Sequence, residues 1–201
     1  MRNPIRRNRN IGKTQGGRVK DGVAHEKWSR IFTQDIWTRL SEDNLKWRVF
    51  KENPSRNFYH PCEEEEYKEV LKQLPPEDTE YINAIVLRQT PKLDYRLGVE
   101  ARKNWRCLIL NAFPKSNKIY WKERPTASIV RHYYPWCSNF GEDKEGWYLK
   151  WATKEVRRYY LYHLLLHEVG HFNQPSTYSR KRGEAFAENY ALEWARKLNQ
   201  L

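Results

Sequence analysis

Apolar positions along the 201-residue chain change period twice. Over residues 24–40, Trp28, Ile31, Phe32, Ile36 and Leu40 fall at helical steps, the mark of one face turned to a core. Residues 63–74 predict a second helix. Its acidic first turn, Glu63 to Glu66, complements the helix dipole, and Pro75-Pro76 stops it. That acidic run is a solvated first turn and not a metal site. The period then shortens: residues 81–89 (YINAIVLRQ), 106–113 (RCLILNAF) and 118–121 (KIYW) are β-branched or aromatic stretches bounded by Pro, Asn and Ser, so they predict strands. The KSN between the last two predicts a hairpin turn. Residues 124–146, punctuated by Pro125, Pro135, Gly141 and Gly146, read as a long loop of the kind that often carries function. After Gly146 the helical period returns and runs to the C-terminus with one break at 173–183. Helices, a small sheet and two further helices make an α+β fold.

Charge sets one segment apart. Residues 1–22 hold seven Lys/Arg against one Asp, or +6, which is half of the chain's +12. Such a segment buries too little surface to offset its ordering entropy, so it is expected to be a flexible basic arm ahead of a single domain at 23–201. Phosphate contacts suit the arm to nucleic acid or another acidic partner, and a solubilising tail is the plainer reading. A transit peptide would need an apolar helical face that is missing. Nine Trp and seven Phe argue against wholesale disorder. No apolar run approaches the ~20 residues of a membrane span, so no membrane partner is expected. Cys62, Cys107 and Cys137 are odd in number and lack a close pair, which indicates neither a disulfide framework nor a Cys-based zinc ribbon. The cytoplasm or another reducing compartment is expected, the more so because the charged N-terminus has no apolar h-region.

The chemistry concentrates in His167-Glu168-Val169-Gly170-His171, an H-E-x-x-H pattern. Histidines four apart lie one turn apart on one helical face, so both imidazoles can reach a single Zn²⁺ at about 2.0–2.1 Å. Glu168, on the flank of that face, can hold and deprotonate a metal-bound water. Composition alone would produce the pattern in about two such sequences per hundred. The alternative is a pair of surface or capping histidines on an ordinary helix. Leu164, Leu165, Leu166 and Phe172 argue against it, because in a buried helix three unpartnered polar side chains would each cost roughly 1–3 kcal/mol.

A catalytic zinc of this class takes a third protein ligand and leaves one position open. Glu184 and Glu188 are the candidates. Ala187 and Ala191, at i+3 and i+7 from Glu184, form a small-residue stripe that lets their helix approach the motif helix, so Glu184 is assigned to the metal. Glu188, one turn on, is assigned to the free N–H of a ligating histidine, fixing its tautomer. The plainer reading has both carboxylates exposed and paired with neighbours such as Arg180 or Lys181. His163, four residues before His167, cannot share an ion with both later histidines, since outer members of such a run lie ~12 Å apart. It is expected beside the ligands or as a satisfied core histidine. Trp121, Trp136, Trp147 and Trp151 are expected to be core and loop anchors.

HEVGH followed by Glu184-Ala185-Phe186-Ala187-Glu188-Asn189-Tyr190-Ala191 resembles the zincin metallopeptidases with a glutamate third ligand, and the short spacing is most similar to the ImmA/IrrE-type group. The resemblance covers residues 159–194. It implies a zincin-like fold, with a small twisted, mostly antiparallel sheet ahead of the active-site helix and an edge strand that binds extended substrate. It also implies a zinc-dependent peptidase with His167, His171 and Glu184 as ligands and Glu168 as the base. Peptide or protein would be the substrate. A donor for the tetrahedral oxyanion is not part of the motif; Tyr178, His132 and Tyr134 are the candidates. Two other readings stay open: a basic nucleic-acid-associated binding protein with a structural or degenerate zinc site, and a zinc hydrolase acting on a non-peptide amide.

Overall fold

The computed structural model describes residues 46–201; the basic arm and the helix expected at 24–40 lie outside them. One unit comprises Trp47–Thr90 and Glu100–Leu201, and Pro91–Val99 belongs to another. The chain runs β1 (Arg48–Lys51), β2 (Phe58–Tyr59), α1 (Glu64–Lys72), α2 (Pro76–Thr79), β3 (Ala84–Arg88), α3 (Lys92–Leu97), β4 (Ala101–Asn104), β5 (Cys107–Asn111) and β6 (Phe113–Pro114). It continues through β7 (Lys118–Trp121), α4 (Ala127–Tyr133), β8 (Phe140–Asp143), β9 (Gly146–Lys150), α5 (Thr153–Tyr159), a π-turn (Tyr160–Leu164), α6 (Leu165–Asn173) and α7 (Arg180–Lys197). The fold is α+β.

The main sheet has the order β1-β3-β5-β4, with β1, β3 and β5 mutually parallel and β4 antiparallel to β5. Every residue of β3 (AIVLR) and β5 (CLILN) is buried. Unbroken apolar runs of this kind belong to parallel strands covered on both faces. The expected mostly antiparallel sheet is therefore corrected: antiparallel pairing prevails in the smaller sheets, β2-β6 and β7-β9-β8, and not in the main one. An apolar run reports burial, whereas strand direction follows from the connection. The link from β1 to β3 carries α1 and α2, long enough for a parallel return.

Three local expectations are corrected as well. The chain does turn at KSN, where Asn117 takes φ 53° and its N–H donates to the Pro114 carbonyl at 3.0 Å. It does not close a hairpin, because β7 leaves to pair with β9 while β5 keeps β3 and β4 as neighbours. The loop expected at 124–146 contains α4 and β8. The Thr126 hydroxyl starts α4 by accepting the Ile129 N–H at 3.4 Å, an ordinary N-cap. After Gly146 the chain forms β9 (GWYLK) before any helix, and the late break is only residues 174–179. Ser179 ends that break by capping α7, accepting the Arg182 N–H at 3.4 Å.

Residues 153–173 are one continuous helix interrupted by the π-turn, at which the Leu165 N–H reaches the Tyr160 carbonyl. Its inner face buries Val156, Tyr159, Tyr160, Leu165, Leu166 and Val169 in the core. Phe113 lies edge-on to both Tyr160 and Trp151, with centroids 6.0 Å apart in each case. Trp136 and Trp151 are core residues, as expected, at 1% and 3% exposure. The acidic run behaves as the first turn of α1: Glu65 pairs with Lys68 at 2.6 Å and Glu66 with Arg157. The three cysteines are free and buried. Burial pushes their thiols up to about 12 for Cys62 and Cys107 and about 11 for Cys137, so none is a thiolate nucleophile at neutral pH. No helix among the described residues is long and apolar enough to cross a membrane.

Glu100 gives the fold a pH dependence. Its Oε2 accepts the Tyr133 and Tyr159 hydroxyls at 2.9 and 2.8 Å, while burial pushes the carboxyl from 4.5 up to about 7. The folded state then holds this proton more tightly than the unfolded chain. Its stabilising contribution is fully present below about pH 4.5 and is lost as pH rises through about 7. Urea unfolding is expected to show a loss of up to ~3 kcal/mol from this group between pH 5 and 8, since each tenfold difference in proton affinity is worth ~1.4 kcal/mol. Glu100→Gln is expected to flatten that slope, and an unchanged slope would remove Glu100 as its source.

Candidate active site

α6 carries the HEVGH segment, with one side against the sheet and the other against α7. The approach to α7 is set by small residues: a Cβ on Gly170 would lie 2.8 Å from the Ala187 Cα. Ala187, Ala191 and Ala195 are fully buried along the facing stripe. That closeness delivers two α7 carboxylates to the histidines.

The first is Glu184. Its Oε2 lies 3.5 Å from His167 Nε2 and 3.7 Å from His171 Nε2. The two imidazoles stand nearly perpendicular, with ring centroids 4.8 Å apart. Donor atoms of the His167, Glu168 and His171 group all lie within 4.8 Å of one another. The opposite ring nitrogens differ: that of His171 is hydrogen-bonded and that of His167 is not. His171 Nδ1 lies 2.9 Å from Gln174 Oε1, so that nitrogen carries the proton and Nε2 keeps a lone pair. His167 Nδ1 lies 3.4 Å from Glu188 Oε2. Glu188, assigned from the sequence to the free N–H of a ligating histidine, lies beside that nitrogen without hydrogen-bonding to it.

Glu188 has further partners. The same oxygen is 3.0 Å from His163 Nε2 and 3.7 Å from His132 Nδ1. His163 is 1% exposed, and its ring packs against both Trp136 and Tyr159 at centroid distances of 5.2 and 5.0 Å. Burial would raise the Glu188 carboxyl, but His163 and His167 hold it well below the usual carboxylate range. Burial lowers His132 to about 4 and lowers His163. At His167 burial acts the same way, and Glu188, Glu168 and Glu184 outweigh it and raise the imidazole.

Glu168 is 5% exposed, and its Oε2 has no hydrogen-bond partner. Burial pushes its carboxyl up to about 7; His167 and the Lys103 backbone N–H act in the opposite direction. Lys103 belongs to β4, the sheet edge that lies against α6, and its Nζ donates to the His171 carbonyl at 2.7 Å. A carboxyl poised near neutrality beside paired imidazoles can both take and return a proton at pH 7.

The oxyanion candidates separate. His132 sits in the Glu188 cluster, with Nε2 3.2 Å from the Tyr159 hydroxyl. Tyr178 is 39% exposed and packs edge-on against Phe186. Tyr134 is 65% exposed and lines a cavity of about 590 Å³ with Arg124, Arg131, Val130 and Pro135, none of them a member of the His167 group. Two residues beside the motif escaped sequence reasoning. Gln174 carried a signal, since it follows His171 by three residues at the helix end. Lys103 carried none, because ARKN has no strand-like alternation.

No protein-family model, no curated protein and no solved structure matches the chain.

Proposed function

We propose that the protein is a zinc-dependent metallopeptidase, with His167, His171 and Glu184 as metal ligands and Glu168 as the catalytic base. One observation carries this reading: Glu184 Oε2 stands 3.5 and 3.7 Å from the Nε2 atoms of His167 and His171, and the far nitrogen of His171 is engaged by Gln174. Ligands ~2.0–2.1 Å from a tetrahedral zinc lie about 3.3–3.4 Å from one another, and the two separations from Glu184 Oε2 are within a few tenths of an ångström of that spacing. Two imidazoles and a carboxylate, with the Glu184 side chain 54% exposed to water, also match the chemistry of a catalytic zinc.

Zinc held there supplies Lewis acidity, polarising the scissile carbonyl and easing deprotonation of the attacking water. The chain supplies the rest. Glu168 accepts the proton of the water on its buried carboxylate and passes it to the departing amine. Gln174 holds the His171 imidazole in the tautomer that leaves Nε2 free, and the Glu188 carboxylate, 3.4 Å from His167 Nδ1, favours a proton on that nitrogen electrostatically. β4 pairs with β5 on one side, and its other edge runs beside Glu168, suiting it to take an extended peptide as an added strand. The net charge of +12 favours acidic polypeptides as substrates through steering.

Metal analysis of the purified full chain, paired with hydrolysis of a generic unfolded polypeptide, tests the reading. Zinc is expected to co-purify or bind on addition, with hydrolysis lost on chelation and regained on zinc return. A protein that binds as many equivalents of zinc after His171→Ala as before, or that hydrolyses equally well under chelation, overturns it.

A further inference from the structure

Glu188 has more neighbours than orienting His167 requires. Its Oε2 is the meeting point of three imidazoles brought by three segments: His132 from α4, His163 from the π-turn and His167 from α6. The His132 tautomer is readable from the hydrogen bonds behind it. The Tyr159 hydroxyl gives its single proton to Glu100 Oε2 at 2.8 Å, so towards His132 Nε2, at 3.2 Å, it can only accept. Nε2 therefore carries the His132 proton, and Nδ1 is left with a lone pair 3.7 Å from a carboxylate oxygen. Two electron-rich atoms facing each other at that distance repel unless a cation stands between them.

His163 brings a second imidazole to the same oxygen. It is 1% exposed, and its Nε2 is 3.0 Å from Glu188 Oε2. The π-turn that carries it is a form of helix enriched at functional sites.

We propose that Nδ1 of His132, Nε2 of His163 and Oε2 of Glu188 form a second site for a zinc-class divalent cation, beside the His167–His171–Glu184 group. Donor atoms of these three residues lie within 4.8 Å of one another, and two of the separations are 3.0 and 3.7 Å. They bracket the about 3.3–3.4 Å spacing of ligands on a tetrahedral zinc. Two imidazole nitrogens with one carboxylate oxygen select a borderline-soft ion such as Zn²⁺ or Co²⁺ over Mg²⁺ or Ca²⁺. The His132 and Glu188 side chains are 35% and 29% exposed, so water can complete the coordination. Behind the ligands, Tyr159 fixes the His132 ring through Nε2, while Trp136 and Tyr159 pack against His163. Glu188 also lies against His167 Nδ1, so an ion on it ties α4 to the two helices that carry the motif.

The site does not require the peptidase reading, and its test keeps the two apart. Full-length protein is stripped of metal and titrated with Co²⁺ at pH 8, with bound equivalents measured by calorimetry and by visible absorption. Wild type is expected to bind two equivalents, His132→Ala and His171→Ala one each, and the double variant none. A single equivalent in wild type that His132→Ala leaves in place overturns the second site, whereas a single equivalent that His132→Ala removes and His171→Ala leaves in place overturns the primary one. A His132→Ala protein that still binds two also overturns the second site. His132→Asn serves as the second variant if His132→Ala loses its helical circular dichroism. If His171→Ala instead leaves both equivalents in place, the primary site is the one that falls.

Discussion

Glu168→Gln is expected to keep the metal and lose peptide hydrolysis, with kcat falling on the order of 10²–10⁴-fold, the usual contribution of a positioned general acid–base. The substitution is nearly isosteric and removes only the capacity to carry a proton. Glu168 is buried at 5% exposure and is flanked by His167 and the Lys103 backbone, so an amide retains the packing and a hydrogen-bond acceptor. KM is expected to change little, because the lost interaction belongs to the proton-transfer steps rather than to substrate binding. In the metal-free protein the substitution also removes a carboxyl whose burial is costly, so thermal stability is expected to hold or rise at pH 8. Metal content, kcat, KM and melting temperature, measured on the same preparation, check all of this. If hydrolysis persists at the wild-type rate, Glu168 is not the base. If metal and hydrolysis disappear together, Glu168 is needed to bind the ion.

The local part of this site is legible in the sequence and the long-range part is not. His167, Glu168 and His171 are fixed relative to one another by helical geometry, so their spacing alone places them. Glu184 and Glu188 can be placed because Ala187 and Ala191 announce a close helix contact, and Gly170 is the surface they meet. β3 and β5 are visible as apolar runs, but their parallel pairing rests on connections that no window of sequence reports. β4 is invisible for a related reason. It is a short strand at the sheet edge, half-buried, and its ARKN residues carry no alternation for a periodicity argument to find. His132 shows the limit most clearly. It lies in a segment that reads as loop although Thr126 is a recognisable cap. Its position beside Glu188 depends on the packing of α4 against a helix that begins some twenty residues later.

Gly170→Ala is expected to damage stability and metal affinity together, because the contact that brings α7 to the motif helix is backbone against backbone. The added methyl would stand 2.8 Å from the Ala187 Cα, 3.1 Å from the Tyr190 Cβ and 3.2 Å from the Ala187 carbonyl oxygen. None of these is the end of a flexible side chain, so the helices must separate. Alanine in place of glycine inside a helix contributes about 1 kcal/mol in the favourable direction. Overpacking a tight interface costs typically 1–3 kcal/mol, so a net loss of up to about 2 kcal/mol is expected. The chemical consequence follows from leverage. Glu184 and Glu188 are carried by α7, and their oxygens stand only 3.4–3.7 Å from the histidine nitrogens, so a shift of a few tenths of an ångström lengthens every one of these separations. Zinc affinity is expected to fall at least tenfold, within the range seen when a ligand or its supporting contact is displaced. Gly183→Ala is the control. That glycine is also on α7, but its added methyl meets the Gln174 side chain, with Oε1 at 2.5 Å, which can rotate away. Its direct effect on the helix spacing should be small, so stability is expected to hold, while loss of the Gln174 hydrogen bond to His171 lowers zinc affinity alone. Urea unfolding of the two variants with competitive zinc titration compares them. A Gly170→Ala protein as stable and as tight for zinc as wild type would show that the α6–α7 distance does not govern the site.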